Sequence, residues 1–154
     1  MARKFGKSGN EAERLFRKLC ESYGIELEDG SPSKASDFTI FPNVLAEVKS
    51  TTTNSFSFKV AHRKGKEFSH GESQWLKLRS KKEAFPWVEI VYPVYYLTRK
   101  EWRWFILPEE PKPLHYNRGM PIDDLMILLG QKQRKFSEWV EGRVSEEEPQ
   151  ELVN

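Results

Sequence analysis

Cysteine is almost missing from this chain: Cys20 is alone among 154 residues, so no disulfide and no CxxC-type metal site can brace the fold. Such scarcity fits a reducing compartment. The three histidines, His62, His70 and His115, lack the spacing of metal ligands and read as surface loop residues. No apolar run approaches the roughly 18–20 residues that a bilayer crossing needs, and no hydrophobic segment follows the early basic residues. A membrane span and a signal peptide are therefore not expected, and a cytoplasmic location is. Net charge is scarce too. Against 25 Lys and Arg stand 23 Asp and Glu, which excludes a disordered polyelectrolyte. Aromatic side chains are what the chain does have, and five Trp, five Tyr and ten Phe suffice for one hydrophobic core. The expectation is a single domain over residues 1–143, followed by an acidic, disordered tail over 144–154.

The near-zero total hides segregation. Residues 1–20 carry six Lys or Arg against two Glu, and residues 49–82 carry nine against two, whereas residues 138–154 carry one Arg against six Glu. A basic body suggests a polyanionic partner, because Lys and Arg neutralising phosphates supply most sequence-independent affinity for nucleic acid.

Periodicity places the elements. Ala12, Leu15, Phe16, Leu19, Cys20 and Tyr23 form an apolar stripe that predicts a helix over 8–23. Ser8 with Glu11 reads as its capping box, and Gly24 as its C′ residue. Residues 37–41 and 44–51 read as two strands of a hairpin, and Phe56 and Phe58 suggest a third strand. A helix is expected over 72–84, and strands over 88–97, where Pro93 calls for a bulge or an edge, and 101–107. Two short helices, near 122–129 and 131–143, close the domain. This order implies an α/β fold with a mixed central β-sheet flanked by helices.

The chemistry concentrates between Asp37 and Lys49. In Glu47-Val48-Lys49 the acid and the amine share one strand face, since side chains at i and i+2 point the same way. If the hairpin connection has an odd number of residues, such as Phe41-Pro42-Asn43, Asp37 faces the same side as Glu47; a two-residue turn would oppose it to Val48. Two carboxylates on one face make a hard-oxygen site suited to magnesium, Mg2+. A neighbouring lysine can help deprotonate an attacking water or stabilise charge building on phosphorus.

Several short motifs then fall in order: Gly9-x-x-Ala12-Glu13-Arg14, Ser33-Lys34-Ala35-Ser36-Asp37, Glu47-Val48-Lys49-Ser50, Gln74 at the start of the second helix, and Trp102-Arg103-Trp104-Phe105-Ile106. Together they resemble the PD-(D/E)xK nuclease superfamily, and more closely the archaeal-type Holliday junction resolvases, over roughly residues 7–130. Ser36 departs from the proline that often precedes the Asp, and Asp29 stands near the place of a DNA-contacting arginine.

The resemblance implies a restriction-endonuclease-like core and a structure-selective endonuclease. Its homodimer would resolve four-way DNA junctions by paired symmetric nicks, displacing the 3′ oxygen and leaving a 5′ phosphate. It implies Mg2+, for which Mn2+ can substitute, held by Glu13, Asp37 and Glu47, with Lys49 and Gln74 positioning or activating water and Ser33 contacting phosphate. Both Glu11 and Glu13 flank the helix stripe; Glu11 has its own role beside Ser8, and Glu13 matches the motif. Arg3, Lys4, Lys7, Arg14, Lys34, Arg63, Lys64 and Lys66 are the candidate DNA contacts. Such an enzyme would work in a prokaryotic cell or a phage-infected host. A restriction- or repair-type enzyme on linear duplex, and a non-catalytic DNA-binding module of the same fold, remain alternatives.

Overall fold

In a computed structural model of the chain, the backbone is described for residues 2–30, 36–59 and 70–153, and side chains for 11–30, 36–59 and 70–142. Ser33, Lys34, Arg63, Lys64 and Lys66 lie outside the described residues, as do the side chains of Arg3, Lys4 and Lys7.

The stripe from Ala12 to Cys20 forms the inner face of helix α1 (Ala2–Ser22), with Ala12, Phe16 and Cys20 buried. Full burial of a side chain such as Phe16 is worth about 1.5–3 kcal/mol. Burial also pushes the Cys20 thiol up to about 12, leaving it an inert core group. Gly24, at φ 71°, ends the helix in the left-handed region. Ile25 N–H donates to the Cys20 carbonyl (2.9 Å) and Gly24 N–H to the Glu21 carbonyl (3.0 Å), a Schellman closure. The other end departs from expectation. The helix begins well before Ser8, so Ser8 is no N-cap, and Glu11 pairs with Arg14 instead. Ala2, Arg3 and Lys4 are good helix formers, which lets the first turns extend upstream.

Strands β1 (Glu28–Asp29), β2 (Phe38–Ile40), β3 (Val44–Ala46) and β4 (Lys49–Thr51) follow, then β5 (Ser55–Phe56) and helix α2 (His70–Ala84). After β6 (Glu89–Tyr96) and β7 (Glu101–Ile106) come β8 (Leu114–His115), a 3-10 turn at Tyr116–Arg118, β9 (Met120–Pro121) and helix α3 (Ile122–Val153). The main sheet runs β1-β2-β3-β6-β7-β9, and β4 continues alongside β6 beyond β3. β3 and β4 run parallel to β6 while the other pairs are antiparallel, so the sheet is mixed as expected. One face buries Phe38, Ile40, Val44, Ala46 and Val48 against Phe16 of α1 and Leu125, Met126 and Leu129 of α3. The other buries Leu45, Ile90, Tyr92, Val94 and Tyr96 with Leu78 of α2, and with Phe58 and Leu114 near the small β5–β8 ribbon.

α3 corrects one expectation. The predicted pair of helices is one continuous helix, because an interior Gly130 costs only about 1 kcal/mol while Leu125, Met126, Leu129 and Gln133 pack around it. The same helix runs on as far as Val153. No described helix is long and apolar enough to cross a membrane.

The start of α2 lies directly on the chain after β5. A Cβ added at Gly71 would stand 2.6 Å from the Phe58 carbonyl oxygen, a distance only a backbone shift relieves. Gly71→Ala is expected to lower stability by roughly 1–3 kcal/mol in chemical denaturation, an overpacking cost. Gly142→Ala, with open space around the added methyl, should leave stability unchanged or raise it.

Candidate active site

The hairpin register decides which side chains meet. Phe38 pairs with Ala46 and Ile40 with Val44, leaving Phe41-Pro42-Asn43 as a three-residue connection. The ladder stops at Phe38 and Ala46, and Asp37 and Glu47 are the next residue beyond it on each side. The odd-numbered loop is the condition that the sequence left open.

Between β3 and β4 the ladder to β6 is interrupted at Glu47 and Val48, yet its register is the same on both sides: Ala46 pairs with Val91, and Lys49 with Val94. The backbone bonds explain the gap. Glu89 N–H donates to the Asn43 carbonyl, Glu47 N–H to Val91 and Leu97 N–H to Thr51. This alternation assigns the bond to the Glu47 carbonyl to residue 93, and a proline has no N–H to donate. Pro93 therefore sits in a central strand, paired with Trp104 without any bulge, contrary to the expected bulge or edge. Its missing donor is confined to the one position where the neighbouring strand opens.

Asp37 closes the opening from the other side. Its N–H donates to the Ala46 carbonyl (3.1 Å), and its Oδ2 accepts the Val48 N–H at 2.8 Å. The same carboxyl is hydrogen-bonded to Glu47 and to Glu13. Glu47 is 1 % exposed, while Glu13 is half-buried on α1. Burial first, then the hydrogen bond and charge of Glu47, push Asp37 up to about 7 from an ordinary 3.8; the Glu13 and Val48 bonds offset this only in part. Of the two helix acids, Glu13 reaches Asp37. Glu11 instead lies exposed in its pair with Arg14, whose guanidinium holds that carboxyl below its usual range.

Lys49, two residues beyond Glu47, donates from Nζ to Gln74 Oε1 at 2.6 Å and stands 5.8 Å from the centre of the Phe56 ring. The structure thus gathers Glu13, Asp37 and Glu47 into one hydrogen-bonded group, with the Lys49–Gln74 pair following along the strand. It leaves Arg14 outside, about half exposed in its surface pair.

One neighbour escaped sequence reasoning. Tyr92, the register partner of Glu47 on β6, is wholly buried, and its hydroxyl has no hydrogen-bond partner among the described residues. Burial, followed by the charges of Glu47 and Asp37, raises its phenol. It is a core aromatic, and its nearness to the acids arises from a parallel pairing across a long crossover that leaves no local signal.

Among the described residues, no group of three or more His, Cys, Asp or Glu is arranged around a metal position. The two glutamates meet at Asp37 rather than around a common empty point. The donor set still suits a hard divalent cation, because Mg2+ favours carboxylate oxygens.

A mixed sheet with helices on both faces and an acid-bearing hairpin at its centre defines a restriction-endonuclease-like α/β core. Hjc of Archaeoglobus fulgidus, a Holliday junction resolvase from an archaeal hyperthermophile, has a similar solved structure. The likeness has a TM-score of 0.52 and covers 77% of this chain and 94% of that chain, at 15% identity. No family model matches the sequence, and no curated protein matches it. At this identity the likeness is one of fold.

A carboxyl held near 7 binds its proton more tightly in the folded chain than in the unfolded one. The resulting stabilisation is complete below about pH 4 and is lost as pH rises through about 7, up to roughly 4 kcal/mol in all. Urea denaturation in EDTA is expected to show the wild type weakening from pH 5 to 8. Asp37→Asn should have a flatter profile over the same range.

Proposed function

We propose that this chain is a structure-selective endonuclease that hydrolyses phosphodiester bonds in four-way DNA junctions, working as a homodimer in a prokaryotic cell or a phage-infected host. One observation carries the reading: Glu13, Asp37 and Glu47 are hydrogen-bonded together, beside a lysine fixed by Gln74, on a resolvase-like fold. Glu13, Asp37 and Glu47 would hold Mg2+, which supplies Lewis-acid polarisation of the phosphoryl group and a lowered pKa for bound water.

The chain's own residues do the remaining work. Val48 N–H and the two glutamates fix the Asp37 carboxyl in orientation, and burial of Glu47 keeps bulk water from screening the group. The Gln74 amide oxygen holds the Lys49 ammonium along the face from the acids, where it can donate to a non-bridging phosphate oxygen as negative charge accumulates. Hydrolysis adds water oxygen to phosphorus; the 3′ oxygen leaves with a proton, giving a 5′ phosphate.

A labelled junction incubated with Mg2+, beside its separate duplex arms, tests this reading. The wild type is expected to nick the junction in symmetric pairs and to spare the arms. Glu47→Gln and Asp37→Ala should lose at least about 100-fold in rate with binding retained, and Lys49→Ala roughly the 10²–10³-fold of a lost charge-stabilising donor. Equal cutting of the arms would favour an enzyme of linear duplex. Binding without any activity sensitive to Asp37→Ala would favour a non-catalytic module.

Two cuts across an approximately two-fold junction call for two copies. We place the second copy on α3. Its core-facing line of Leu125, Leu129 and Gln133 runs on through Phe136 and Val140, which with Trp139 are exposed. Arg134 and Lys135 before this strip, and Glu138 and Glu141 along and beyond it, make an antiparallel helix pair self-complementary in charge. Light scattering should give a dimer for the wild type and a monomer for Trp139→Glu; a dimer for both would place the interface elsewhere.

A further inference from the structure

Along the α2 face, past Lys49, a second cationic feature is built around a single tyrosine. Tyr116 is 8 % exposed, set edge-on against Tyr96 at 5.3 Å, and anchored by its N–H to the Asn54 carbonyl at 2.8 Å. Two guanidinium groups lie against its ring, Arg99 at 4.1 Å and Arg103 at 4.4 Å from the centroid. Arg103 also donates to the Tyr116 hydroxyl (2.9 Å) and stands 3.8 Å from Glu101, which accepts the hydroxyl proton of the same tyrosine.

Glu101 therefore serves Arg103 and leaves Arg99 out. Arg99 is exposed, in the turn between β6 and β7, and its Nε donates to Asn54 Oδ1 at 2.9 Å. Among the described residues no carboxylate lies within ion-pair distance of it. A guanidinium has five N–H donors, and this bond uses one. The ring and the asparagine have already removed the side chain's freedom, so an anion meets a preformed donor fork with little further ordering cost. Lys100 and Arg118, both exposed, add positive charge nearby in sequence.

Register relates Arg103, the other guanidinium on this ring, to the acids. Lys49 pairs with Val94 and Val94 with Arg103, on three neighbouring strands. Strands about 4.8 Å apart set the backbones of Lys49 and Arg103 about 10 Å from each other. A DNA strand presents one phosphate for about every 3.4 Å of axis, so a backbone engaged at Lys49 brings another phosphate to the fork within a few nucleotides.

We propose that Arg99, held by Tyr116 and Asn54, is a phosphate subsite that grips the backbone of a DNA arm flanking the cleaved bond. The identity of the ligand rests on the nuclease reading above; the fork itself does not. The test uses the full chain, a labelled four-way junction in EDTA, and fluorescence anisotropy across about 50–200 mM salt. Arg99→Gln is expected to weaken binding by about 3–10-fold and to lower the salt slope by about one, with the melting temperature unchanged. Arg99→Lys, which keeps the charge but loses the planar stack, should recover only part of the affinity. Unchanged affinity and slope in Arg99→Gln, with the wild type binding and cutting junctions, overturns the subsite alone. A loss of binding matched by a fall in melting temperature also overturns it, since the stack would then be a brace for the turn. A wild type with no salt-dependent affinity for DNA overturns both the subsite and the nuclease reading.

Discussion

The Asp37 carboxyl accepts the Val48 N–H where the second hairpin strand leaves its partner, and it shares hydrogen bonds with Glu13 and Glu47 at the same time. A carboxylate in that position completes the backbone hydrogen bonding of an interrupted strand, a service that neutral side chains perform at less cost. Retaining an acid there, beside two more, costs free energy that burial makes larger. Burial and the neighbouring Glu47 are what raise the Asp37 carboxyl far above its ordinary range.

The rest of the architecture surrounds this crowding. Two hydrophobic layers hold the sheet rigid from opposite sides, one contributed by α1 and α3, the other by α2 and the β5–β8 ribbon. α1 delivers Glu13 and α2 delivers Gln74, so helices from different layers converge on one strand opening. Pro93 makes the opening without disturbing the sheet. Its ring removes one donor, and the register resumes unchanged beyond it.

Much of this was readable from residue patterns. The stripe from Ala12 to Cys20, the alternation that pairs Glu47 with Lys49, and the break at Gly24 each rest on spacing within a few residues, which backbone geometry translates directly into a face. Other features were misread because a local cue competed with a distant one. Ser8 and Glu11 have the residues of a capping box, but the helix continues through them and Arg14 claims the acid. Gly130 looks like a terminator until Leu129 and Gln133 are seen packing on either side of it. Pro93 signals an edge in any strand read singly, and only its partner strand shows that the lost bond falls at a gap.

By itself, then, the sequence determined the class of fold, the pairing of acid with amine on one strand, and the helix acid and glutamine available to join them. The mixed α/β class and the acid–amine pair follow from short-range periodicity, which is a property of the chain alone; Glu13 and Gln74 were singled out by the resemblance to the nuclease motifs. Tertiary structure decided that Asp37 is hydrogen-bonded to Glu47, that Glu13 rather than Glu11 reaches them, and that Tyr92 lies against the group. It also decided that Arg99 stacks on Tyr116 with no acid beside it. Each of these depends on which strands and helices become neighbours across long crossovers, and that is settled by how two apolar layers pack on a single sheet, a cooperative outcome that no short window of residues contains.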